Sequence, residues 1–498
     1  MLQRLQRDKF FWLLGLIIFL AAILRLRGFS SHFLLASDTA RDILVAKGAI
    51  LLQQLPWVGS FSSAGPFVFG PNWYWQLMLP QILFPNLFMG PWIIMLIISI
   101  FFVVVMGLCG QFLGGKKLGL VVALLAAISP AAIGLSAYPT QHAMVEIFSA
   151  LALLGFLAFL KTQKLIFAFL MAVSIGGAIS YHYQAINLLP YYPISLGFYY
   201  WNNRLVKDNL KLIFVLIFGS FIFLIPLILW DSFRGFANTL HLVGYFKVGQ
   251  YQIYVPNSWR IYLFSFWLGL LGKLIGGNFT LGAFLGIFTI FIITIRFFQK
   301  KLSLIFLGLL AVFGMQFLMM RFFRGERYDG YLVYFHPMIL LFVAFMIKAF
   351  LKLNKWFGFV LIFGLIIFSI WTVMPVLDWN NDVGNLEKIV QVLKTRYPGQ
   401  KFSIYAKNLA ASNVTFSQSL ILEKNSLGHN SGRLLGICLY NSCNTRGTQE
   451  IARGEFQGQE FIVVNLEKVG IENLSKKNDW YAFSAVAVYD DVQNWWKK

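Results

Sequence analysis

Asp38, Arg41 and Asp42 sit in the stretch Ser37-Asp38-Thr39-Ala40-Arg41-Asp42, directly after the first long apolar run of the chain. Charge held against a bilayer is expensive, so ionisable groups there are candidates for function. Asp38 comes first. A carboxylate at the rim of a helical bundle can serve as a general base, taking the proton of an acceptor hydroxyl or amine within hydrogen-bond reach. Its structural alternative is the N-cap of a following helix, with Arg41 and Asp42 in the first turn.

Other candidates are scattered along the chain. The run Gly65-Pro66-Phe67-Val68-Phe69-Gly70-Pro71-Asn72-Trp73-Tyr74-Trp75 joins rigid turns to aromatic faces. Such faces stack on a sugar ring or an isoprenoid, or form an interfacial belt; Tyr74 and Trp75 are the candidates there. His182 and Gln184 separate two apolar runs. An imidazole at that boundary can donate to a phosphate or sugar, move a proton, or bond a backbone carbonyl. Gln141, His142 and Glu146 open another run; His142 and Glu146 share a helix face, as a ligand-contacting pair or a self-satisfied one. Arg321, Arg324 and Arg327 cluster around Glu326. Arginine clamps phosphate through paired N–H groups, and it also contacts anionic headgroups. Arg260 and Lys273 either assist such a clamp or snorkel to the surface.

What must position these residues is a membrane bundle. The chain has 498 residues, 58% hydrophobic and only 12% charged. A soluble domain carries about a quarter charged residues. Apolar runs of roughly 17–25 residues predict about eleven spans, near 10–25, 86–109, 118–137, 141–160, 165–181, 184–201, 211–230, 279–296, 302–320, 331–350 and 357–377. The net charge of +21 does not point to nucleic acid, because Lys and Arg collect in every second short loop. That alternation predicts a cytoplasmic N-terminus and an extracytoplasmic tail, with 259–275 as an interfacial or re-entrant helix; the alternative is a twelfth span there, with the tail inside. Two long outer segments result, 26–85 and 231–278, the first with a flat helix over 40–54. The bundle is expected over 1–378. Residues 379–498 have ordinary polarity and read as a small α/β domain with a helix over 385–396 and strands near 402–405, 434–439 and 461–465. No nucleotide-binding glycine motif occurs in it. Cys438 and Cys443 lack zinc-ligand spacing and could form a disulfide in an oxidising compartment.

An Asp-x-x-Arg element after the first span, a flat helix, then a Gly/Pro/aromatic segment ending in Tyr74-Trp75 resembles the polyprenyl-phosphate-dependent C-type glycosyltransferases. That superfamily includes protein O-mannosyltransferases and the lipid A aminoarabinose transferase. Thr39 replaces the usual second acid, Asp42 stands one turn along, and Phe-Gly-Pro replaces Lys-Pro-Pro. Ser129-Pro130 to Tyr138-Pro139-Thr140, and Arg327-Tyr328 to His336-Pro337, are similar to later segments of the same pattern. The resemblance implies a polytopic helical fold in the cell membrane. It also implies transfer of a sugar from a polyprenyl-phosphate donor to a protein, lipid or glycan acceptor on the outer face. Asp38 would be the base, and Arg321, Arg324 and Arg327 would hold the leaving phosphate. Arg41, Asp42, Tyr74, Trp75, His182, Gln184, Tyr328 and His336 would contact substrate. Neither nucleotide nor divalent metal is implied. The competing readings are an oligosaccharyltransferase, and a transporter or scaffold without catalysis. A transporter would show paired broken spans in two related halves, and no internal repeat is evident.

Overall fold

In a bilayer every backbone N–H and C=O must be satisfied within the protein, which leaves helices as the form for the apolar runs. The computed structural model describes residues 9–27, 35–84, 89–203, 206–252, 255, 258–325, 327–377, 382–400, 402–407, 433–439, 448–456, 459–468 and 480–494. The helices are α1 (Lys9–Leu26), α2 (Ser37–Leu52), α3 (Asn72–Leu83), α4 (Gly90–Gly114), α5 (Lys116–Ile128), α6 (Pro130–Ser136), α7 (Gln141–Thr162), α8 (Leu165–Tyr181), α9 (Tyr191–Asn203), α10 (Val206–Phe221), α11 (Ile225–Ser232), α12 (Ala237–Lys247), α13 (Trp267–Leu274), α14 (Phe279–Phe298), α15 (Leu304–Phe322), α16 (His336–Leu353) and α17 (Lys355–Leu377). Among the described residues seven helices are long and apolar enough to cross a membrane, and two bent pairs bring the number to nine. The protein is a polytopic helical membrane protein.

Three of the expected spans are not single straight helices, and proline accounts for the breaks. The run 118–137 bends by 58° between α5 and α6, at Pro130. Proline has no N–H, so the carbonyl four residues back loses its donor. Arg25, fully buried at the end of α1, supplies replacements: its Nη2 donates to the Ala126 carbonyl at 3.3 Å and its Nη1 to that of Ala127 at 2.9 Å. Its Nε donates to Ser99 Oγ on α4 at 2.8 Å. Replacing Arg25 with Leu is expected to destabilise the bundle by about 1–3 kcal/mol per carbonyl left open, read as a lower melting temperature in detergent. The run 211–230 bends by 74° between α10 and α11, near Pro226. The run 184–201 divides into a 3₁₀ turn, Tyr183–Leu188, and α9, on either side of Pro190.

Within the first long outer segment, α2 begins two residues earlier than an Asp38 cap requires. Ala36 occupies the N-cap, and Asp38 lies in the first turn with its carboxylate turned to Arg41. Residues 59–69 then fold back on themselves: Gly59 N–H donates to Phe69 O at 2.9 Å, and Phe69 N–H to Ser60 O at 3.0 Å. Gly70 follows at a close approach to α8. Its N–H donates to Ser180 O at 2.9 Å, and a Cβ there would lie 2.0 Å from Ser180 Oγ. Asn72 anchors the start of α3 by donating to Ser180 Oγ and to the Phe223 carbonyl at the α10–α11 bend.

The C-terminal part carries α18 (Asp382–Arg396), strands β1 (Phe402–Lys407), β2 (Arg433–Leu439), β3 (Gln449–Phe456), β4 (Gln459–Asn465) and β5 (Trp480–Phe483), and α19 (Ala485–Gln493). The sheet order is β3-β4-β2-β1-β5, with β1 parallel to β2 and the other pairs antiparallel. Cys438 is buried on β2 and disulfide-bonded; Cys443 lies outside the described residues. This C-terminal part packs through α19 onto α2. Gln493 accepts from the Trp57 N–H at 3.1 Å and donates to the Val58 carbonyl at 3.0 Å, binding the loop as a strand would. Gly48 makes the helix contact possible, since a Cβ there would sit 2.5 Å from the Ala485 carbonyl oxygen. Gly48→Val is expected to cost about 1–3 kcal/mol of docking and to speed proteolysis of the C-terminal domain.

Candidate active site

The i, i+3, i+4 spacing puts Asp38, Arg41 and Asp42 on one face of α2. Arg41 is the hub. Its Nη1 contacts Asp38 Oδ1 at 2.8 Å; its Nη2 and Nε donate to Asp42 Oδ1 at 2.8 and 2.9 Å. The two acids differ in surroundings. The Asp42 side chain is 8% exposed and also accepts from Trp73 Nε1 at 2.9 Å and from the Tyr74 hydroxyl at 3.3 Å. Burial pushes the Asp42 carboxyl up, against the opposing pull of Arg41 and Trp73. Burial also works against the Arg41 charge, but the carboxylates beside it outweigh that and raise its pKa. Asp38 is 73% exposed, and among the described residues Arg41 is its one partner.

Asp38 opens into a polar chamber of about 800 Å³ between α2, the 60–63 loop, α6, the start of α7 and the 3₁₀ helix Asp329–Phe335. Arg41, His142, Lys273, Tyr328, Asp329 and His336 share its wall. Next to it lies an apolar cavity of about 320 Å³, lined by Phe67, Ile186, Leu242, Tyr245, Met319 and Phe323 among others. Phe69, His182 and Tyr331 belong to both. They form a stacked partition, with His182 between Phe69 at 4.8 Å and Tyr331 at 4.7 Å, ring centre to ring centre. Burial, reinforced by His142 alongside, holds the His182 imidazole well below its ordinary pKa and therefore neutral. Its Nδ1 accepts from the Gln184 N–H at 3.3 Å.

His142 and Glu146 do not pair with each other. His142 Nδ1 meets Thr140 Oγ1 at 2.9 Å, while Glu146 Oε1 meets His336 Nδ1 at 2.7 Å, deep between α7 and α16. Lys273 is paired with Asp329 across the chamber mouth.

The fold brings Asp38, Arg41, Asp42, His182, Tyr328 and His336 to the chamber, and Gln184 to the apolar cavity with His182. Tyr74 and Trp75 go elsewhere. Tyr74 is buried behind Asp42, and Trp75 Nε1 donates to the Pro56 carbonyl at 3.0 Å. These side chains hold the loop rather than face the chamber, because α3 turns its first residues inward against α2. Arg321, Arg324 and Arg327 line neither space, but the chain that carries them does: Met319, Met320, Phe322 and Phe323 wall the apolar cavity. Arg327 Nη2 donates to the carbonyls of Met320, Arg321 and Phe323, closing the end of α15. Arg321 stacks on Trp259 at 4.5 Å. Arg324 Nη1 and Arg327 Nε are buried with no hydrogen-bond partner among the described residues. Glu326 lies outside those residues.

Sequence reasoning missed Phe69 and Tyr331 as a partition and Trp73 as the partner of Asp42. The aromatic run signalled Phe69 and Trp73, and the 327–337 segment held Tyr331, but neither showed which rings would face inward. Among the described residues no group of three or more His, Cys, Asp or Glu side chains is placed to hold a metal ion. The arrangement offers an open carboxylate in a polar chamber beside an apolar cavity, suited to deprotonating one substrate next to a lipid-borne one.

No family model matches the chain, and no curated protein matches it. Solved structures do share its fold. ArnT from Cupriavidus metallidurans bound to undecaprenyl phosphate superposes with a TM-score of 0.63 at 10% identity, over 93% of this chain and 99% of that one. The apo state of the same protein gives 0.61 at 11% identity, over 90% and 97%. The apo oligosaccharyltransferase of Archaeoglobus fulgidus gives 0.55 at 12% identity, over 83% of this chain and 64% of that one. Both neighbours are C-type glycosyltransferases, and the fold of this chain is the C-type glycosyltransferase fold.

Proposed function

We propose that the protein moves a sugar from a polyprenyl-phosphate-linked donor to an acceptor, with Asp38 as general base. The observation that carries this reading is the pair of adjoining spaces, one apolar and one polar, parted by Phe69, His182 and Tyr331 and with Asp38 open to the polar one. A lipid-linked sugar has the same two-part character. The shared fold of an ArnT structure bound to undecaprenyl phosphate supports the lipid part.

In this reading the prenyl chain lies in the apolar cavity and its phosphate lies beside Arg324 and Arg327. Their unpartnered N–H groups suit an anion. The sugar reaches across the partition into the chamber. The acceptor attacks the anomeric carbon with inversion, its proton passes to Asp38, and the lipid phosphate departs with the electron pair of the broken C–O bond. Arg41 holds Asp38 in place without closing its second oxygen. The loop charges support an active site on the extracytoplasmic face, with the N-terminus cytoplasmic and the C-terminal domain outside.

The test is donor consumption by purified protein in detergent, with a panel of polyprenyl-phosphate sugars, a lipid-linked oligosaccharide and crude membrane acceptor. Consumption of one donor class is expected; none by any donor would remove the transferase reading. Arg324→Gln should raise the donor KM roughly 10-fold or more, the size of a lost charge-assisted hydrogen bond, with kcat little changed. EDTA is expected to leave the rate unaltered, because among the described residues no three His, Cys, Asp or Glu side chains are grouped to hold a metal ion. A rate lost on chelation and restored by one divalent ion would assign a metal to the reaction.

A further inference from the structure

The ionisable groups of the chamber are matched among themselves. Arg41 is held by Asp38 on one side and Asp42 on the other. Lys273 is held by Asp329, and His336 by Glu146. Among the described residues lining the chamber, no cation is left over for an incoming anion. The most exposed of the chamber's carboxylates is that of Asp38. By contrast, Arg324 and Arg327, each with an N–H group unpartnered among the described residues, are carried next to the segment whose Met319, Met320, Phe322 and Phe323 wall the apolar cavity. Unpartnered arginine N–H groups thus lie toward where the donor phosphate would enter, while each cation of the chamber is already held by a carboxylate.

The chamber does offer neutral polar and aromatic contacts. His142 Nε2 is buried without a partner among the described residues, and His142 lines the chamber. Tyr138, Tyr328 and Tyr331 line it as well. Apolar ring faces with scattered hydrogen-bonding groups suit a sugar. A base is also informative about its substrate. A phosphate or carboxylate oxygen is already anionic near neutral pH and needs no deprotonation, whereas an alcohol becomes a competent nucleophile only as its proton is taken.

From this matched charge, the open carboxylate and the unpartnered His142 nitrogen, we infer that the acceptor is an uncharged sugar hydroxyl and not a phosphate or carboxylate. The inference rests on the transferase reading above. In the step, the hydroxyl oxygen bonds to the anomeric carbon, its proton goes to Asp38, and the anomeric carbon–oxygen bond to the lipid phosphate breaks. No other reactant is needed.

The experiment uses the full-length protein in detergent with the donor it consumes from crude membranes. Three acceptors are compared: a neutral alkyl glycoside, the same glycoside carrying a phosphate monoester, and a serine peptide. The neutral glycoside is expected to be glycosylated with a kcat/KM at least about 10-fold above the phosphorylated one. Asp329→Asn, which releases Lys273, should narrow that ratio by several-fold. Equal or better use of the phosphorylated glycoside overturns the inference. So does use of the peptide alone, or an unchanged ratio in Asp329→Asn. Donor consumption with crude membranes but with none of the glycosides also overturns it while leaving the transferase standing; absence of consumption with every acceptor removes both.

Discussion

Asp38→Asn is expected to lower sugar transfer by about 10²–10⁴-fold, the usual contribution of a positioned general base, with an unchanged melting temperature. The two halves of that expectation come from different observations. The loss of rate follows from chemistry: an amide cannot accept the acceptor's proton, and Asp38 is the most exposed carboxylate of the chamber. Asp42 is buried behind Arg41, Asp329 is paired with Lys273, and Glu146 with His336. Preserved stability follows from exposure. The Asp38 side chain is 73% exposed and contacts Arg41 alone among the described residues. Exposed ion pairs contribute about 0–1 kcal/mol, and Arg41 keeps both of its bonds to Asp42. The check is a side-by-side transfer assay with thermal unfolding of both proteins. A variant that transfers sugar at the wild-type rate would show that Asp38 is not the base.

Asp42→Ala, one helical turn away, is expected to do the opposite kind of damage. It removes the shared acceptor of Arg41, Trp73 and Tyr74 from a buried position. Deleting one partner of a buried ion pair costs about 3–5 kcal/mol, because the remaining charge stays buried and uncompensated. Activity should fall as well, since an Arg41 released from Asp42 has only Asp38 to engage and would cover the oxygen that must accept the proton. Thermal unfolding in detergent measures the first effect. A loss below about 1 kcal/mol would mean that Arg41 reaches water without Asp42, and that the pair is less buried than its contacts indicate. Together the two variants separate adjacent acids into one that reacts and one that holds.

Much of the scaffold was legible in the sequence because lipid imposes a simple demand. Runs such as 90–114 or 141–162 have no way to satisfy their backbone in hydrocarbon except as helices. Strands β1, β2 and β4 announced themselves by short β-branched and aromatic runs, and α18 by its helical pattern. Strand β3, with its charged Gln449–Phe456 sequence, and the brief β5 had no such signature and form because their neighbours pair with them. The bends at Pro130 and Pro226 were written in the sequence as residues, but their angles depend on partners such as Arg25, which lies over a hundred positions from the carbonyls it bonds.

The sequence by itself determined the helical membrane class, the charge alternation of the loops, and the placing of Asp38, Arg41 and Asp42 on one face of one helix. Each is a local property: the affinity of a residue for lipid or water, or the 3.6-residue period. Only the tertiary structure decided which of the two acids is buried, since that depends on Trp73 and Tyr74 arriving behind Asp42. It likewise turned Tyr74 and Trp75 away from the chamber, matched Glu146 with His336 across 190 positions, and left Arg324 and Arg327 beside the apolar cavity instead of next to Asp38. Side chains of this kind are paired by the path of the chain in three dimensions, and a burial preference states that a group must find a partner without naming which one.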